Sequence, residues 1–89
     1  MDYQRRLSEA EANVVNAGPP VAEWERSVLA FKNPFLKRPQ LSPEEAQAIE
    51  GMDGIARVQW AEGRLAEKRA ARDAAQKALD DLKANPPLN

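Results

Sequence analysis

The chain has 89 residues, 43% of them hydrophobic and 30% charged, with neither cysteine nor histidine. Such totals allow one small domain with a thin core, and they exclude a disulfide staple and the usual histidine or cysteine metal sites, leaving helix packing and partners to supply stability. A net charge of -1 and a pI of about 5.4 give no global field that would recruit nucleic acid or an anionic membrane.

The first predicted element covers residues 2–16. Tyr3, Leu7, Ala10 and Val14 recur at helical spacing, so one face is apolar, while Arg5, Arg6, Glu9 and Asn13 occupy the other. Asp2 is a candidate cap, and Ser8 with Glu11 offers an alternative capping box. Ala17-Gly18-Pro19-Pro20 reads as the stop, a glycine followed by prolines.

Pro20 then suits the first position of a second helix, predicted over 20–32. Trp24, Val28 and Phe31 form its apolar stripe, with Val21 and Leu29 nearby, and Lys32-Asn33-Pro34 ends it. Residues 33–41 form an extended connector punctuated by Pro34 and Pro39, which carries Phe35, Leu36 and Leu41 beside the charges of Lys37 and Arg38. The simpler expectation is that Phe35 and Leu36 tuck under the helices. The sharper one is a docking segment, because a stiff extended peptide loses less entropy on binding.

Ser42, Pro43, Glu44 and Glu45 make the clearest local signal. Ser42 and Glu45 have capping-box spacing, proline stands at the first helical position, and Leu41 with Ala46 has the spacing of a hydrophobic staple. From here the sequence predicts a long helix over 43–84, ended by Asn85-Pro86-Pro87. Gly51 and Gly54 mark a candidate break, and Asp53 between them is placed to cap a new helix.

The long helix carries an apolar stripe of Ile55, Val58, Leu65, Leu79 and Leu82, interrupted by Glu62, Arg69 and Arg72. Beside it, Ala66, Ala70, Ala74 and Ala78 repeat every four residues, a spacing that allows close approach of an antiparallel or partner helix. Trp60 is expected to receive Trp24, Val28 or Phe31. The expected architecture is therefore all-α: one domain over 1–89, a hairpin-like arrangement in which two short helices fold back on the long one around Ile55 to Leu65. The stretch from Lys68 to Leu82 is expected to protrude.

Catalysis is poorly supported. The candidate nucleophiles Ser8, Ser27 and Ser42 have no base at a meaningful spacing, and Glu50, Asp53, Asp80 and Asp81 form no evident acid–base or magnesium pair. No glycine-rich phosphate loop is present, so no cofactor is expected. Arg64, Lys68, Arg69 and Arg72 cluster on adjoining turns and are the residues a nucleic-acid reading would use, although the acids Glu62, Glu67 and Asp73 interleave with them. No apolar leader or membrane span is expected, and the sequence reads as a soluble, intracellular protein.

The composite reading is a non-enzymatic structural or interaction subunit of a larger assembly, homo- or hetero-oligomeric, for which a virion or similar multi-copy particle would be a suitable setting. Its expected partner-binding residues are Trp24, Phe31, Phe35, Leu36, Trp60 and the alanine repeat. A small regulator of one macromolecule is the second reading, and a nucleic-acid-associated protein the third.

Overall fold

The computed structural model describes residues 2–37 and 39–86; the expectations that involve Met1, Arg38 and Pro87 fall outside them. Three helices appear in order: α1 (Asp2–Lys32), α2 (Pro43–Ala48) and α3 (Gly54–Ala84). The fold is all-α. α1 and α3 pack along each other as an antiparallel pair, with Trp24 against Trp60 near the connector and the Tyr3 hydroxyl donating to the Leu82 carbonyl at 3.1 Å near the other end. The result is a rod of 58 × 21 × 19 Å.

Two expected helices are one. α1 runs unbroken through Gly18-Pro19-Pro20, the stretch expected to stop it. Locally the expectation was sound: two prolines remove the N–H groups that would reach the Val15 and Asn16 carbonyls, and proline inside a helix costs about 3 kcal/mol. Packing along α3 overrides that cost. Tyr3, Leu7, Ala10, Val14, Ala17, Val21, Trp24, Val28 and Phe31 are all buried or half-buried, and they follow alternating four- and three-residue steps without slipping at the prolines. Both halves of α1 therefore present one heptad stripe to the same partner helix. Gly18 eases the junction, since it has no Cβ to meet the following proline ring.

α3 answers with its own heptad: Val58, Ala61, Leu65, Lys68, Arg72, Ala75, Leu79 and Leu82 are buried or half-buried, and at the connector end Ala56, Arg57, Trp60 and Arg64, beside the heptad, are half-buried as well. The alanine repeat is not the line of contact within the hairpin, because Ala66, Ala70, Ala74 and Ala78 are all exposed. Geometry explains why. A four-residue step overshoots a helical turn by about 40°, so the repeat winds about 120° around the back of α3, whereas a seven-residue step drifts only about 20°. Ile55, expected on the apolar stripe, falls off the heptad and is 73% exposed.

The protruding tail is also corrected. α1 reaches the far end of α3, where Ala10 and Leu79 are buried and Tyr3 holds Leu82. The long helix expected over 43–84 is broken as well. Its Ser42 start is as expected: the Glu45 backbone N–H donates to Ser42 Oγ at 3.2 Å, and the Ser42 N–H donates to Glu45 Oε1 at 3.0 Å. The helix stops at Ala48, and the chain turns through Gly51, whose φ of 84° is a left-handed conformation that suits glycine. Asp53 then caps α3, with Oδ1 accepting from the Ala56 N–H at 2.8 Å. Asn85 closes α3, its backbone N–H donating to the Asp81 carbonyl at 3.0 Å.

Candidate docking site

The aromatic core lies at the connector end. Val21, Val28, Ala61 and Leu65 are buried together, with Trp24, Phe31 and Trp60 packed against them. Trp60 is the hub. Trp24 meets it edge-on at 5.4 Å between ring centroids and Phe31 at 6.4 Å, both in the geometry that aromatic quadrupoles favour. The Arg64 guanidinium stands 5.7 Å from the same ring, within cation–π range. Trp24, Phe31 and Trp60 are thus brought together as expected, inside the hairpin.

Phe35 and Leu36 did not tuck under the helices. After α1 ends, the Asn33 side-chain oxygen accepts from the Phe35 N–H at 3.0 Å and the Asn33 carbonyl from the Leu36 N–H at 3.1 Å. That tight turn points Phe35 outward, leaving it 95% exposed and Leu36 45% exposed. Val15 and Leu29 are exposed singly along α1, as is ordinary for a protein surface, whereas Phe35 and Leu36 are consecutive and open together. Leu36 lines a groove of about 370 Å³ with Ala30, Phe31, Pro34, Met52, Gly54 and Arg57. Ile55 follows Gly54 directly and is also exposed.

The later half of the connector does fold inward. Pro39 and Leu41 are half-buried and Ile49 is buried, and with Phe31, Ala46, Glu50 and Arg57 they line a second groove of about 390 Å³. Leu41 and Ala46, the expected staple, share this groove. The Glu45 carboxyl is held below its ordinary value, chiefly by the Ser42 backbone N–H, with further help from the Ser42 side chain and the positive charges of Arg64 and Lys68 against an opposing effect of burial.

The four basic residues do not share a free face. Lys68 and Arg72 occupy seam positions and are half-buried; Arg72 also reaches Asp73 at 3.4 Å. Arg64 lies over Trp60 and pairs with Glu67 at 3.3 Å. Exposed Arg69 lines a groove on the opposite flank with Glu25, Leu29, Lys32 and Glu62, where Lys32 and Glu62 pair at 3.6 Å.

The three serines are likewise spread apart. Ser8 is exposed, Ser27 donates to the Glu23 carbonyl one turn back at 3.0 Å, and Ser42 caps α2. Among the described residues no group of three or more acidic side chains is placed to hold a metal ion, and no helix is long and apolar enough to cross a membrane.

Sequence reasoning missed Ile55 and Arg57 as members of this end. Ile55 was legible from the heptad, since the alternating three- and four-residue steps, continued back from Val58, land on Gly54 and leave Ile55 to one side. Arg57 had no signal, because its surroundings come from the connector and α2. No family model matches the chain, and no curated protein or solved structure is similar to it.

Proposed function

We propose that this protein is a non-enzymatic interaction subunit, a helical hairpin that joins a larger protein assembly through its connector end. The observation that carries this reading is Phe35, 95% exposed on a proline-stiffened turn next to exposed Leu36, with Ile55 exposed at the same end of the hairpin. A rigid segment presenting an aromatic anchor loses little entropy on docking, and buried aromatic side chains supply much of the energy of protein interfaces. The exposed alanine back of α3 is a second surface that another helix could approach closely.

The test places a photo-activatable phenylalanine analogue at position 35 and, as a control, at exposed Asn13, in the chain expressed with its native complement of proteins. Position 35 is expected to give adducts of discrete mass that vanish when Ile55→Glu is added, and Asn13 to give none. A chain that forms no adduct at 35, and that sediments as a monomer at every concentration, overturns the proposal.

A further inference from the structure

Among the described residues, Arg57 is the one charged side chain lining the groove formed by Ala30, Phe31, Pro34, Leu36, Met52 and Gly54, and it also lines the neighbouring groove beside Ile49 and Leu41. Its Nε is buried and has no hydrogen-bond partner. None of the four ion pairs among the described residues includes it. The nearby acids make no ion pair with it: Asp53, one turn earlier, accepts from the Ala56 N–H, and Glu50, although it lines the second groove together with Arg57, is not paired with it. A half-buried guanidinium with an orphaned N–H is an unpaid desolvation in the free chain, and a carboxylate arriving with a fixed fork of acceptors is the group that relieves it.

We infer that this groove receives an apolar segment of a partner protein that carries an acidic side chain, the carboxylate seating on Arg57 and its apolar neighbours on Leu36, Met52 and Phe31. The inference rests on the docking role assigned above to the connector end and adds the chemistry of what docks. Charge complementarity selects the occupant. An uncharged apolar segment would cover Arg57 and leave its Nε unsatisfied, and a basic one would be repelled by it. Phe35, which follows the groove residue Pro34 and precedes Leu36, is exposed and free to add contact to the seated segment.

The experiment selects random twelve-residue peptides, displayed on a carrier, against the intact chain, then measures their affinities for the chain and for the Arg57→Gln and Phe35→Ser variants. Enrichment of Asp or Glu between large apolar residues is expected. Affinity should fall roughly tenfold both on Arg57→Gln and on changing the peptide's acid to its amide. The Arg57 Nε–H resonance should move on binding, and Arg57→Lys, which keeps the charge without the fork, should recover only part of the affinity.

Selected peptides without an acid, affinities within twofold on Arg57→Gln and on the amide peptide alike, or a failure to select any binder would each overturn acid recognition. If Arg57→Gln does not fold, the amide peptide alone decides. Binding that Phe35→Ser weakens and the amide peptide does not would overturn acid recognition while leaving docking at the connector end standing. The photo-cross-linking at position 35, together with sedimentation, tests that reading independently of the peptides.

Discussion

The two ends of the hairpin share one heptad but fill it with different side chains. At the connector end the seam holds Trp24, Val28, Phe31, Trp60 and Leu65, and residues from the connector and α2 add Leu41 and Ile49 around them. At the far end it holds Tyr3, Leu7, Ala10, Ala75, Leu79 and Leu82, and the middle is occupied by Val14, Ala17, Lys68 and Arg72. Apolar burial contributes about 25 cal/mol per Å², and alanine or a snorkelling lysine offers little of it. The same helix pairing is therefore anchored at one end and lightly held at the other. Regular spacing sets which residues meet; side-chain size sets how firmly.

The sharpest way to break that contrast is Trp60→Ala. Removing the hub strips Trp24, Phe31 and Arg64 of their common partner, and loss of a core aromatic costs about 3–5 kcal/mol. Because the far end cannot hold alone, the whole helical signal in circular dichroism should be lost in one transition at lower temperature or urea. A variant whose far end kept its melting point would show the two ends to be independent.

Pro19→Ala tests the middle. Its ring is exposed, so replacing it restores an N–H to face the Val15 carbonyl and gives up little packing. Stability should rise by about 1–3 kcal/mol, visible as a higher melting temperature. A fall would mean that α3 is fitted to the proline step.

Ser42→Ala acts only at the connector end, where losing a cap costs about 1 kcal/mol. Hydrogen exchange should quicken in α2 and not beyond Leu65. Acid should mimic it. The folded Glu45 carboxyl lies below its unfolded value, so its contribution is fully present above the ordinary glutamate value and is lost as the pH falls through the lowered one. An NMR titration of the Ser42 N–H should follow that loss, and in Glu45→Gln it should be flat.

The smallest effect is expected from Tyr3→Phe. It removes one hydrogen bond to Leu82, worth about 0.5–1.5 kcal/mol, and should loosen only the last turns of α1 and α3. Global unfolding after this change would place the anchor at the wrong end.

Much of the architecture was legible because short-range chemistry wrote it. The Ser42–Glu45 box, the stop at Asn85 and the meeting of Trp24 and Phe31 with Trp60 all follow from spacing and residue type. What misled was giving local breakers priority over register. Gly18-Pro19-Pro20 reads as a stop within a five-residue window, yet the heptad from Tyr3 to Phe31 passes through it in phase. The alanine repeat points away from the pairing within the hairpin for the converse reason, since a four-residue regularity in sequence is not a straight line on a helix that turns beneath it. Of the connector end, Phe35 and Leu36 could be named from sequence, but their exposure depends on the Asn33 turn. The isolation of Arg57 depends on three segments meeting and has no local signature.

The Tyr3–Leu82 bond joins residues 79 apart in the chain, whereas the Trp24–Trp60 contact spans about half that distance. Closing the longer loop costs only about 0.6 kcal/mol more for each doubling, but it must be met before the small side chains of the far end give anything back. Assembly should therefore start where the aromatic rings can find one another across the connector and then zip outward, turn by turn, with Tyr3 last. By that order the turn that carries exposed Phe35 lies next to the first contacts to form, so the connector end takes its shape before the rest of the rod has closed.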